Sequence, residues 1–424
     1  MKTKTPDGLL TLLAAPLLLS PPLAPTARAQ PLPSPSAATS TDAGETVSYL
    51  RSARNAFIDA QDFQGALGPA RDLVERDESS GDPERPRDIA TLGRVQAELG
   101  DFDAAELNYL QAVGLIQEAE GEFSVSLMDA YQGLGRNYIK SRRFTEAVAA
   151  LDQARHISQR NLGLFNVTQT SLIDDLTTAY LGLGDTVTAK QLQQERLENA
   201  LRRFGEDDTQ TIPFRYQLAS YYEQSRLRSA ARAQYEKIVT LIEQQRGADD
   251  PLLLRPLRAL LRIELLLGDR DEAHARIVDI VGRNPDVDPM ERASTLASLG
   301  DWSIAREDAA TARGYYAEAY RLLADRTDKS PRETFATPET IDFIAPLSPV
   351  DRAERAKPYG WGSIVLAFEV SADGRASNVS VVEAKPPGVM DAAYSRRIRE
   401  AHFRPRLVDG EPVATAGVRS THYF

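Results

Sequence analysis

Alanine recurs along this chain with a fixed step. Ala105, Ala147, Ala189, Ala231 and Ala273 are each 42 residues apart, and Ala66 and Ala312 lie 39 residues beyond the two ends of that series. Thirteen residues before the five, and before Ala312, stands a leucine every time: Leu92, Leu134, Leu176, Leu218, Leu260 and Leu299. Glycine keeps the same step at Gly121, Gly163, Gly205 and Gly247, sixteen residues after its alanine. A period of this length is the mark of stacked supersecondary units, none of which can bury its apolar face alone.

The residue types say which unit. A small residue next to the leucine (Gly93, Gly135, Ala219, Gly300) lets two helices approach closely. A turn follows near Gly100, Gly184 and Gly268, and the alanine then packs the second helix against the first, where a larger side chain would force the pair apart. Four residues on, one helical turn along the same face, stands Tyr109, Leu151, Tyr235, Ile277 or Tyr316; Gln193 breaks that rule. The expectation is helix–turn–helix, repeated.

The stretch "LGRVQAELGDFDAAELNYLQA" (92–112) resembles the tetratricopeptide repeat at its leucine-glycine, glycine and aromatic-alanine positions. The resemblance covers 48–325, six to seven repeats, and departs in length, since the usual repeat has about 34 residues. It implies a superhelix with a concave groove that binds protein or peptide. Carried over position by position, it turns Arg94, Asp129, Gln132, Arg136, Lys140, Asp174, Thr178, Tyr216, Glu223, Arg255, Arg258 and Arg262 toward the groove. Arg94 and Arg136 are one repeat apart. Arg255, Arg258 and Arg262 share one helix face by their spacing. Two basic clusters that hold acidic segments or a terminal carboxylate are one expectation. Solvated arginines on an ordinary helix surface are the other. Tyr180, Tyr221 and Tyr222 read as core and groove wall.

The chain opens with Lys2 and Lys4, an apolar run over 9–23, and small residues at Ala27 and Ala29. That layout predicts an export signal over 1–29, cut after Ala29. Pro16, Pro21 and Pro22 leave an unbroken run shorter than the roughly 20 residues that span a bilayer. A signal that stays in the inner membrane is the alternative. Residues 30–47, "QPLPSPSAATSTDAGETV", read as a Pro/Ser-rich disordered tether. There is no cysteine, hence no disulfide, thiolate metal site or lipid-bearing cysteine. The net charge of −11 argues against a general nucleic-acid binder.

After 325 the repeat fades. Pro331, Pro338, Pro346, Pro349 and Pro358 suit a linker over 326–358 that wraps onto a last domain at 359–424. There Ile364, Leu366, Phe368 and Val370 alternate with polar or small residues, which predicts a strand with one buried face. "SADGRA" carries an Asp-Gly hairpin signal, and Val379 and Val381 continue the second strand. A short helix follows with Met390, Tyr394, Ile398 and Ala401 on one side. The segment "HFRPRLVDGEPV" leads to a final strand, with Phe403 as a plug, Pro405 as a helix stop and Asp409-Gly410 as the turn into that strand. The predicted fold is therefore mostly α, an α-solenoid followed by a small α+β domain of order β-β-α-β.

These pieces, with the terminal "GVRSTHYF", resemble the TonB C-terminal domain. The resemblance implies that the last strand lies at a sheet edge and recruits an extended segment of an outer-membrane receptor by strand addition. The edge positions are Val418, Arg419, Ser420, Thr421, His422, Tyr423 and Phe424, and Ser420→Pro is expected to block the addition. The family's Tyr-Pro pair has Ser348-Pro349 as its counterpart, and its long proline-rich spacer is replaced by helical repeats. The four histidines, His156, His274, His402 and His422, are far apart. No phosphate loop, nucleophile elbow or dinucleotide fingerprint occurs. No enzyme, cofactor or metal is expected. The expected partners are proteins: a receptor segment at the edge strand and a peptide or protein in the groove, met in the periplasm by an exported adaptor. An anchored energy transducer and a small domain that merely caps the solenoid are the alternatives.

Overall fold

In the computed structural model, residues 43–80, 82–164, 169–268, 271–324, 334–346 and 362–424 are described. The export signal with Ala27 and Ala29, and Ser348-Pro349, lie outside them. Fourteen helices pair into seven hairpins: α1 (Ala43–Asp59) with α2 (Phe63–Ser80), α3 (Arg85–Glu98) with α4 (Phe102–Glu120), α5 (Ser126–Lys140) with α6 (Phe144–Leu162), and α7 (Thr170–Gly182) with α8 (Thr186–Phe204). They continue with α9 (Ile212–Gln224) and α10 (Arg228–Arg246), α11 (Leu254–Leu267) and α12 (Glu272–Arg283), and α13 (Pro289–Ala305) and α14 (Ala309–Ala324). The first helix already begins at Ala43, inside the stretch expected to be tether.

The turn within every hairpin is set by one left-handed residue, five positions before each alanine of the series. Gly100, Gly184 and Gly268 take positive φ there, as glycine does at no steric cost. Gln61, Arg142, Arg226 and Glu307 occupy the equivalent positions with φ between 58° and 64°. A side chain in that region costs about 1–2 kcal/mol, which the flanking helix contacts offset. Between hairpins, Gly121 takes φ 89° and returns its N–H to the Gln117 carbonyl at 3.0 Å, ending α4.

The packing follows from the spacing. All seven alanines are at most 2% exposed, and the six leucines at most 6%. The small residues stand where the large ones land. A Cβ on Gly133 would lie 2.3 Å from the Tyr109 ring, one on Gly135 2.5 Å from Leu151, and one on Gly300 2.3 Å from Tyr316. Tyr109 also packs on Gly93, so one tyrosine fills the seam between two hairpins. Gln193, the exception, is as buried as the residues it replaces, at 3%. It donates to Thr177 Oγ1 at 2.8 Å and accepts from Arg196 at 2.5 Å, while Arg196 also donates to Asp174 at 2.6 Å. The break in the apolar pattern is thus a buried hydrogen-bonded network. Burial draws the Arg196 guanidinium below its usual pKa, against the pull of Asp174.

The small domain is a three-stranded antiparallel sheet of order β3-β2-β7, from β2 (Ser363–Val370), β3 (Ala376–Lys385) and β7 (Thr415–Tyr423), with α15 (Asp391–Glu400) packed on one face. Met390, Tyr394, Ile398 and Ala401 bury against Ile364, Leu366, Phe368 and Val370. Phe403 lies 5.2 Å from Phe368, ring to ring. Short strands add to the expected β-β-α-β order. β1 (Glu339–Thr340) comes from the linker and pairs with β4 (Phe403–Arg404). β5 (Arg406–Val408) and β6 (Glu411–Val413) form a hairpin. Two expectations change here. The helix ends at Glu400, before Pro405, because Ala401 turns extended to deliver Phe403 to the core. Asp409 and Gly410, both with positive φ, close the β5–β6 hairpin and do not lead directly into the last strand.

The small domain and linker also finish the solenoid. The last hairpin has no following copy to cover Tyr316, Ala319 and Leu323. Phe335 and Leu407 join that core instead, Phe335 with no exposed surface. Arg404 then reaches back to α13, donating from Nε to Asp301 Oδ1 at 2.8 Å and from Nη2 to Oδ2 at 2.5 Å, and from Nη1 to Glu339 at 2.7 Å. Asp301 also accepts from the Tyr316 hydroxyl at 2.9 Å. Burial opposes the charge on Arg404, but Asp301 and Glu339 outweigh it and hold the guanidinium above its usual pKa.

Candidate protein-binding surfaces

Among the described residues, β7 is paired on one side only. Its partner is β2, in unbroken register from Tyr423 opposite Ser363 to Val418 opposite Phe368. Gly362 and Phe424 exchange both backbone hydrogen bonds, at 2.7 and 3.0 Å. Counting along an antiparallel ladder, the N–H and C=O of His422, Ser420 and Val418 point at β2, and those of Tyr423, Thr421 and Arg419 point away from it. The seven edge positions therefore divide in two. Ser420→Pro would remove a donor from the internal ladder, so it tests folding and not the edge; Thr421 is the position whose N–H faces outward.

The inner side of β7 is aromatic. His422 lies 4.7 Å from the Phe343 ring and 5.1 Å from Tyr394, centroid to centroid. Burial, helped by the nearby Arg226, draws its pKa down to about 4, so the ring is neutral at pH 7. Phe343 belongs to the linker, which is held by His402: its backbone N–H and its Nδ1 both meet Asp342, at 2.7 and 2.6 Å. His402 thus packs and orients. His274 stacks on Trp302 at 3.7 Å, and His156 meets Phe123 edge-on. Among the described residues, no group of three or more His, Asp or Glu is placed to hold a metal ion.

The groove residues come together in two places. Arg94, Arg136 and Lys140 line a cleft of about 450 Å³ with Tyr109, Asp129 and Gln132. Tyr216 and Arg255 line a second, of about 610 Å³, near the starts of α9, α11 and α13. Arg258 and Arg262 line neither. The two clusters are less basic than their sequence suggests. Lys140 pairs with Glu98, and Arg136 with Asp175 at 2.7 Å. Arg258 pairs with Glu291 at 2.7 Å, and Arg262 meets both oxygens of Glu223 at 2.6 and 2.9 Å. Burial raises the Asp175 pKa, against the pull of Arg136. Each carboxylate comes from a neighbouring hairpin, 33 to 42 residues away, which is why a reading along one helix missed it.

One further column was legible only after the fold. Arg94, Arg136, Thr178, Ser220, Arg262 and Asp301 are equivalent positions of successive hairpins. The column changes sign at its last member, and that is where Arg404 enters. The signal was present in the period, but its partner lies 103 residues on.

Residues 354–423 match the family described as the Gram-negative bacterial TonB protein C-terminal, a family of the bacterial envelope. No curated protein matches the chain. Among solved structures, a tetratricopeptide repeat protein from Parabacteroides merdae is similar at 13% identity, covering 67% of this chain and 95% of that one with a TM-score of 0.37. BtubC from P. vanneervenii is similar at 18% identity, 67% and 91% coverage and a TM-score of 0.37. Pseudomonas aeruginosa pilF is similar at 18% identity, 57% and 94% coverage and a TM-score of 0.36. The repeat architecture rests on the hairpins themselves. Among the described residues no helix is long and apolar enough to cross a membrane. The chain is a stack of helical hairpins followed by a small C-terminal domain, and residues 354–423 are similar to the TonB C-terminal family.

Proposed function

We propose that the protein is an exported, periplasmic protein-binding adaptor without catalytic activity. Its groove takes a segment of one partner. The edge of β7 takes an extended segment of another, an outer-membrane receptor, by strand addition. The observation that carries this reading is the row of outward N–H and C=O groups at Arg419 and Thr421, continued by the Tyr423 N–H, with no backbone partner among the described residues; the Tyr423 carbonyl accepts from the Tyr394 hydroxyl at 3.5 Å. Such a row is a template for a further strand.

The test uses the absence of cysteine. A chain carrying Thr421→Cys should form a disulfide with cysteines scanned through the extended N-terminal segment of a receptor, with a two-residue periodicity. Thr421→Pro should abolish receptor binding while the melting temperature moves little. Retained binding in Thr421→Pro removes the edge-strand reading.

A second reading has its own observation. Phe335, Leu407 and Arg404 make the C-terminal region a cap on the last hairpin. The cap uses Leu407 and Arg404 and the edge uses β7, so the cap supports the adaptor by holding the domain at a set place on the solenoid. An anchored energy transducer becomes the better reading if the mature chain retains 9–23, as mass spectrometry of its N-terminus would reveal.

A further inference from the structure

We propose that the solenoid carries a hinge between its fourth and fifth hairpins. Hairpins one to four move as one body, and hairpins five to seven with the C-terminal domain as another. The inference concerns motion of the scaffold and stands apart from what the groove or the edge of β7 binds.

Along the groove, the joints between hairpins are closed by side chains that reach from one first helix to the next. Arg51 of α1 meets Asp88 of α3 at 2.6 Å, and Lys140 of α5 meets Glu98 of α3. Gln132 of α5 donates to Asp175 of α7 at 2.6 Å, Arg262 of α11 to Glu223 of α9 at 2.6 Å, and Arg258 of α11 to Thr295 of α13 at 2.8 Å. The joint between α7 and α9 has no such rung among the described residues. Its column positions are Thr178 and Ser220, and each bonds within its own helix. Thr178 Oγ1 donates to the Asp174 carbonyl at 2.9 Å, and Ser220 Oγ accepts from Gln224 at 3.4 Å.

The apolar core breaks at the same place. Leu192 ends a cluster that runs back through Leu176, Leu151 and Leu134. Leu197 begins another that runs on through Leu218 and Leu260 to Phe335, and no residue belongs to both. Between the two leucines stand Gln193 and Arg196, members of the buried network with Asp174 and Thr177. Two buried polar atoms, Arg196 Nε on α8 and Gln217 Oε1 on α9, have no hydrogen-bond partner among the described residues. Parting an apolar joint exposes surface that water disfavours. A polar joint exchanges its hydrogen bonds for those of water, and here opening also satisfies atoms that closure leaves unmet. Opening therefore costs less at this joint than at its neighbours. The outer side is tied: Gln194 of α8 donates to the Tyr222 hydroxyl at 2.9 Å, and Lys237 of α10 meets Asp207 at 2.8 Å. A joint tied outside and untied inside opens toward the groove, as a hinge does.

The absence of cysteine lets spin labels be placed in pairs on the full chain. Leu107, Ala149, Gln191 and Ala233 are exposed and hold equivalent places on α4, α6, α8 and α10. Leu107→Cys with Gln191→Cys spans two joints inside the first body. Ala149→Cys with Ala233→Cys spans two joints, one of them the hinge. Double electron–electron resonance should give a distance distribution about twofold wider for the second pair, since hinge motion adds to label motion there. Leu181 and Ser220 stand 42 residues before Glu223 and Arg262. Leu181→Glu with Ser220→Arg therefore copies the neighbouring rung into the hinge, and Leu181 is exposed enough to accept the change. This variant should narrow the second distribution to the width of the first. Equal widths for the two pairs in the unaltered background overturn the hinge. So does a broad second distribution that persists in the rung variant at an unchanged melting temperature. If the rung variant melts lower, the two label pairs decide alone.

Discussion

The middle of the solenoid and its last hairpin solve the same burial problem by different means. In the middle, each apolar face is covered by a near-copy of itself, so a leucine, a glycine and an alanine at a fixed step suffice. At the last hairpin no copy follows. There an unlike domain covers the face with Phe335 and Leu407, and a buried ion pair between Asp301 and Arg404 fixes its orientation. Like surfaces align by repetition. Unlike surfaces need a specific polar contact to choose one arrangement among several of similar apolar burial.

The largest expected effect breaks the terminal contact. Phe335→Ala should cost about 3–5 kcal/mol in urea unfolding, with hydrogen exchange rising first in α13 and α14 and little in α3 and α4. Uniform exchange across all hairpins would mean that the array unfolds as one unit and that the comparison between middle and end is empty. Next comes Asp301→Ala, which leaves Arg404 buried with Glu339 alone. A loss of roughly 3 kcal/mol is expected, the low end for a broken buried pair. Replacing both groups, Asp301→Leu with Arg404→Met, should recover most of it. A double variant as unstable as the single would show that the pair adds net stability and not only orientation.

Gly133→Val probes the middle. Its added Cβ meets the Tyr109 ring, and overpacking of this kind costs about 1–3 kcal/mol. A second change, Tyr109→Leu, should relieve part of the cost, which thermal unfolding would report as non-additivity. The smallest effect is set by pH. The folded pKa of His422 lies near 4, below the usual value of about 6.5. Its neutral form is favoured in the folded domain, so its contribution is present above pH 6.5 and is lost as pH falls toward 4. His422→Gln should flatten the acid side of the stability profile in that window relative to the unaltered chain. Parallel profiles would mean that His422 titrates normally.

The periodic part was legible because it is local. The leucine and alanine columns, the inter-hairpin glycines and the helix face of Tyr394 and Ile398 each follow from spacing within one element. The left-handed turns at Arg142, Arg226 and Glu307 were not, since no glycine marks them; only their place in the 42-residue register does. The groove arginines were found, but not their neutralisation, because a partner such as Glu98 for Lys140 stands one whole repeat away. The docking of Arg404 on Asp301 depends on two folds at once, and neither sequence pattern contains the other. For the edge, the position of the strand was readable, but which of its amides face outward required the register of Gly362 with Phe424.

The confinement of the buried terminal contacts to the last hairpin has an evolutionary consequence. Duplication or loss of one internal 42-residue unit would leave Phe335, Leu407 and the Asp301–Arg404 pair untouched. Each such event would move the C-terminal domain relative to the N-terminal hairpins by about two helix widths, each about 8–10 Å. The distance between the two ends is therefore a heritable length, adjustable in whole steps, while the joint at the end stays the same.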